Sequence, residues 1–102
     1  MLSESARALV VVTIDVEPSA ESRLNEWYRD HIPHRLSLPG YVAAQRFASA
    51  EAPHRYLTAY EVTDPDIARK KTDLARDPGA PTPELRATWR SVTRTVWTVV
   101  DD

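Results

Sequence analysis

The stretch Trp27-Tyr28-Arg29-Asp30-His31-Ile32-Pro33-His34, closed by Leu38-Pro39-Gly40-Tyr41, is where the chain turns from a helix into a strand. Upstream of it, Ala20, Leu24, Trp27, Tyr28 and His31 fall within one helical arc about 100° wide, while Arg23, Asn25, Glu26, Arg29 and Asp30 lie off it. That spacing predicts an amphipathic helix from about Ala20, after the break at Glu17-Pro18 and with Ser19 as N-cap. Pro33 removes a backbone donor and disfavours a helical Ile32, so the helix is expected to end near His31. Pro39-Gly40 then marks a turn.

Outward from this stretch the pattern becomes β. Residues 8–16 are β-branched and apolar on both alternating faces, which predicts a strand covered on both sides. Residues 41–49 and 55–62 read as two strands joined by the turn Glu51-Ala52-Pro53-His54, an antiparallel hairpin. Asp64-Pro65-Asp66 has the signature of a helix start, and the helix is expected to run to about Arg76, before Asp77-Pro78-Gly79. Thr82-Pro83-Glu84 can open a short helical piece through Trp89, and residues 91–100 form the last strand.

The order is β-α-β-β-α-β. It predicts an α+β, ferredoxin-like fold with a four-stranded antiparallel sheet and both helices on one face. With 102 residues the chain is one domain, residues 1–102. The first and last strands are apolar on the other face as well. A second copy of the chain is the economical cover, giving a two-fold homodimer through the sheet face.

Composition narrows the function. Thirteen basic against fifteen acidic residues, spread along the chain, argue against nucleic acid as a partner. No apolar run approaches the ~20 residues that span a bilayer, and no secretory signal opens the chain, so a cytoplasmic protein without a membrane partner is expected. The absence of cysteine removes thiol nucleophiles and thiolate metal sites. Two glycines, Gly40 and Gly79, cannot build a glycine-rich phosphate loop.

Trp27, His31 and Pro33 in the spacing Trp-x-x-x-His-x-Pro, followed by Leu38-Pro39-Gly40-Tyr41, resemble the EthD-like members of the dimeric α/β-barrel superfamily. Arg55-Tyr56-Leu57, Tyr60-Glu61 and Asp64-Pro65 carry the resemblance on, over residues 8 to 65. The resemblance implies a homodimer whose sheets form a barrel, with a pocket in each subunit between sheet and helices. It also implies cofactor-independent chemistry on aromatic or polyketide-like molecules, among it monooxygenation, dehydration, decarboxylation, isomerisation and cyclisation.

His31 is the candidate catalytic residue, because an imidazole titrates near neutral pH and this one sits on an aromatic stripe. The bland alternative is a packed histidine bonded to a backbone carbonyl. Trp27 and Tyr28 are candidate substrate-binding residues, or core aromatics. Tyr56 and Tyr60 share one strand face, which looks either toward the helices and a pocket or toward the dimer partner. Arg46 can bind a carboxylate or phenolate, or pair with Glu61 at the interface. His34 and Arg35 read as surface or pocket-rim residues, His34 as a bystander, and His54 as solvated. A His31–His34 metal site lacks a third ligand, so no metal and no cofactor are expected.

The resulting expectation is a small cofactor-independent enzyme, a lyase or isomerase, acting on a hydrophobic small molecule. His31 would move a proton, and Tyr28, Tyr60 or Arg46 would steady an oxyanion. The alternatives are a non-catalytic dimeric small-molecule-binding protein and a cofactor-free monooxygenase.

Overall fold

The computed structural model describes residues 2–69 and 79–100. Strand β1 (Ala8–Val16) leads through a single 3-10 turn, Pro18–Ala20, into helix α1 (Glu21–Leu36). Strands β2 (Tyr41–Ala48) and β3 (Arg55–Val62) follow, then α2 (Pro65–Arg69), α3 (Pro83–Arg86) and β4 (Trp89–Thr98). The strands form one antiparallel sheet in the order β2-β3-β1-β4. This is the ferredoxin-like arrangement expected from the sequence.

Two features of α1 differ from expectation. Its N-cap is Ala20, with no side-chain cap, because Ser19 is absorbed into the 3-10 turn, where Ala20 N–H donates to the Glu17 carbonyl. The helix also runs through Pro33 to Leu36. Pro33 lies in the last turn, where its missing donor and the crowding of its ring affect one bond, and its fixed φ is helical, so the turn can be completed beyond it. Ser37 closes that turn: its N–H donates to the Pro33 and His34 carbonyls, and its hydroxyl to the His34 carbonyl.

The helix-start signals downstream hold. Asp64 accepts from Asp66 N–H at 2.8 Å, with Pro65 first in α2. The expected continuation of that helix to Arg76 lies outside the described residues, as do Asp77 and Pro78. Thr82 caps α3, its hydroxyl accepting from Leu85 N–H at 3.2 Å. That helix stops at Arg86, and β4 begins at Trp89, two residues earlier than expected. Gly40 has φ +88°, in the left-handed region that favours glycine, and a Cβ there would run into the Ile67 side chain.

Register sorts the two sheet faces. Val10, Val12 and Ile14 oppose Tyr60, Thr58 and Tyr56 on one side and Val96, Arg94 and Val92 on the other, while Ala44, Arg46 and Ala48 continue that face onto β2. The face carries the core: Val10, Ile14 and Val16 lie buried with Ala20, Leu24 and Tyr28 of the helix layer. Tyr56 and Tyr60 therefore look toward α1, which settles the question their spacing left open. The opposite face presents Leu9, Val11, Leu57, Ala59, Phe47 and Trp97, with Phe47 53% and Trp97 59% exposed. Among the described residues it holds an apolar groove of about 600 Å³.

Candidate functional site

Because α1 continues through Pro33, Trp27, His31 and His34 follow one another at i, i+4 and i+7 on one helix face. His31 is 6% exposed. Its Nδ1 lies 3.0 Å from the Gly79 carbonyl, a contact across 48 residues of sequence. A carbonyl can only accept, so Nδ1 carries the proton, and in the neutral ring Nε2 is the basic nitrogen. The Trp27 indole stacks on the imidazole at 4.0 Å between ring centres, 20° from parallel. Trp27 also meets Tyr28 and Trp89 edge-on at 4.8 and 5.3 Å. His31 is thus fixed in ring position and tautomer by contacts on two sides.

A cleft of about 260 Å³ opens here, lined by Trp27, Asp30, His31, His34, Gly79 and Ala80. A Cβ on Gly79 would lie 2.6 Å from His34 Cδ2, so the bare glycine backbone gives the His34 ring its place. His34 is a wall of the same cleft as His31, in line with its reading as a pocket-rim residue and not with that of a bystander. Its i+3 spacing from His31 brings it there because the helix passes Pro33. Asp30, Gly79 and Ala80 carried no sequence signal, since the last two come from a remote loop.

The other expected site residues gather on the far side of Tyr28. The Arg46 guanidinium lies over the Tyr28 ring at 4.2 Å and near the Tyr56 ring at 5.3 Å. Its alternative partner Glu61 is on the opposite sheet face, so the Arg46–Glu61 pairing does not occur. Tyr28 links the two halves, with its ring centre 5.9 Å from that of His31. Tyr60 packs edge-on to Tyr41 at 6.1 Å.

Electrostatics assign these groups different roles. Burial raises the hydroxyl pKa of Tyr28 and of Tyr60 above the ordinary phenol value, with Arg46 pulling weakly the other way. Both stay protonated at neutral pH. Tyr56 donates to Glu21 Oε1 at 2.9 Å, and that carboxylate raises the Tyr56 pKa. The same oxygen is 2.8 Å from His54 Nδ1, so His54 is half-buried and paired, not simply solvated. His54 and Tyr56 together lower the Glu21 pKa.

Three polar atoms of the second cluster stand out. Nε and Nη2 of Arg46 and the hydroxyl of Thr58 are buried without a hydrogen-bond partner. The Thr58 hydroxyl is near enough to temper the rise in the Tyr28 pKa, but no bond of good geometry satisfies it. A buried donor or acceptor left unmade costs about 1–3 kcal/mol, and the tyrosine faces return part of that for the cation. Among the described residues no group of three His, Cys, Asp or Glu side chains is placed to hold a metal ion.

Solved structures of other proteins share this architecture. One is an antibiotic biosynthesis monooxygenase, 19% identical, with a TM-score of 0.69 over 92% of this chain and 99% of that one. Another is SnoaB, a cofactor-independent oxygenase from Streptomyces nogalater, 15% identical, with a TM-score of 0.71 over 95% and 96%. A conserved protein from Methanosarcina mazei Go1 aligns at 17% identity and a TM-score of 0.71 over 92% and 94%. What is shared is the fold. No protein-family model matches the chain, and no curated protein matches it. The neighbours share the ferredoxin-like fold and do not confirm the EthD-like resemblance. Among the described residues no helix is long and apolar enough to cross a membrane.

Proposed function

We propose that the protein is a cofactor-independent oxygenase of an electron-rich, phenolic aromatic molecule, with His31 as the base that starts the reaction. The observation carrying this reading is the imbalance of the His31 ring: Nδ1 is held to the Gly79 carbonyl while Trp27 fixes the ring plane at the cleft. That tautomer makes Nε2 the proton acceptor. Removing a proton from a ring CH₂ activated by a neighbouring carbonyl gives a carbanion spread over the rings. The carbanion reduces dioxygen itself: the CH₂ becomes C=O with one oxygen atom, and the other leaves as water with the two hydrogens. Substrate and oxygen balance without a further reductant. Tyr28, protonated at neutral pH and with its ring centre 5.9 Å from that of His31, is assigned the developing oxyanion, and Trp27 offers a stacking surface. The fold neighbours that carry oxygenase activity favour this chemistry.

The same proton abstraction without oxygen gives the lyase or isomerase chemistry, and a hydroxylated anthrone distinguishes the two. Oxygenation predicts oxygen uptake matched to quinone formation, and His31→Ala should slow it by about 10²–10⁴-fold. Conversion without oxygen uptake would move the protein to the proton-transfer class. Full turnover by His31→Ala would remove the mechanism altogether.

The assembly we propose is a homodimer closed through the apolar sheet face around Phe47, Leu57 and Trp97. Light scattering at micromolar concentration should give twice the chain mass; a monomer would refute it.

A further inference from the structure

The proton chemistry at His31 leaves one buried cation without a task. Arg46 points from β2 toward α1, wedged against the rings of Tyr28 and Tyr56. Nε and Nη2 form the side edge of the guanidinium fork, the edge that meets a carboxylate through two parallel bonds. Both nitrogens are buried and neither has an acceptor. Directly across the ladder is Thr58, fully buried, its hydroxyl likewise without a partner. Glu21, the carboxylate that reaches this cluster, is engaged by Tyr56 and His54 instead. A fork edge, an unsatisfied hydroxyl and two phenol rings thus share one side of α1, with no anion among the described residues to complete them.

We infer that the Arg46 fork is a subsite for the carboxylate of a planar aromatic acid. Such a ligand supplies two coplanar oxygens, matching Nε–H and Nη2–H, and a flat ring for the tyrosine walls. A neutral phenol satisfies neither nitrogen pair nor charge. Tyr56 is the half-buried ring of the two that hold the guanidinium, and its contact is the longer, so the ligand enters on that side. Tyr28 touches the guanidinium on one side and faces the His31 imidazole on the other, so its ring stands between the subsite and the His31 cleft. The inference rests on the reading that the protein binds an aromatic molecule, and adds that the molecule is anionic.

The test is equilibrium binding by calorimetry, with salicylate and its uncharged amide, salicylamide, as probes. Salicylate should bind at least about tenfold more tightly than salicylamide. Arg46→Gln should erase the preference, and Arg46→Lys should retain part of it, because a point charge cannot make two parallel bonds. Equal affinity for the two probes, no binding of salicylate, or a preference that survives Arg46→Gln would overturn the subsite. Should Arg46→Gln fail to fold, the wild-type preference and its reduction in Arg46→Lys decide the matter. A salicylate preference without oxygen uptake on any fused-ring phenol leaves the subsite standing and removes only the oxygenase reading.

Discussion

Replacing Thr58 by valine should stabilise the protein or leave it unchanged, although a fully buried hydrogen-bonding residue is being removed. Thr58 is 0% exposed at the centre of β3, and its hydroxyl has no partner of good geometry. Threonine and valine have nearly the same shape, so the packing against the Val12 and Arg46 positions across the ladder is kept. The cost of a buried unsatisfied hydroxyl is about 1–3 kcal/mol, and valine removes it. A gain of about 1 kcal/mol in a domain of this size raises the melting temperature by about 4 °C or more. Urea and thermal unfolding followed by circular dichroism would measure it, with an unchanged urea slope showing that the states compared are the same. The same variant should bind salicylate more weakly if the hydroxyl serves the Arg46 subsite. A loss of 1 kcal/mol or more would refute the reasoning, because it would mean that Tyr28 and Thr58 share a real hydrogen bond.

Two further outcomes test the frame that holds the site. Gly40→Ala should destabilise by about 1–3 kcal/mol, since a non-glycine residue at this φ is strained and its Cβ meets Ile67; urea unfolding reads the loss. Asp15 receives two bonds from Arg55, at 2.6 and 3.0 Å, which lower its pKa below the ordinary 3.8. A lowered carboxylate pKa stabilises above the unfolded value and loses that effect as pH falls through the folded one. The stability gap between wild type and Asp15→Asn should therefore be constant above about pH 4 and shrink below it. A gap that widens on acidification would contradict the pairing.

Much of this molecule is local in origin. The β-branched apolar run of residues 8–16, the strand–turn–strand pattern of 41–62, the Asp64-Pro65 start and the Pro39-Gly40 turn carry the element order of the ferredoxin-like topology, because propensity and period act over a few residues. The amphipathic stripe also placed His31 beside Trp27 and Tyr28, since helical neighbours at i+3 and i+4 follow from spacing alone.

The site itself is a matter of tertiary structure. Whether Pro33 ends α1 depends on whether Ser37 closes the turn beyond it, and that decides if His34 joins the cleft. The Gly79 carbonyl that sets the His31 tautomer arrives from 48 residues away. Sheet register, not the spacing of Tyr56 and Tyr60, turns their face toward α1 and brings Arg46 between Tyr28 and Tyr56. A sequence specifies which groups are available and on which face of an element they lie. Their convergence, burial and protonation depend on how separate elements pack, where the loss of water makes each missing partner costly.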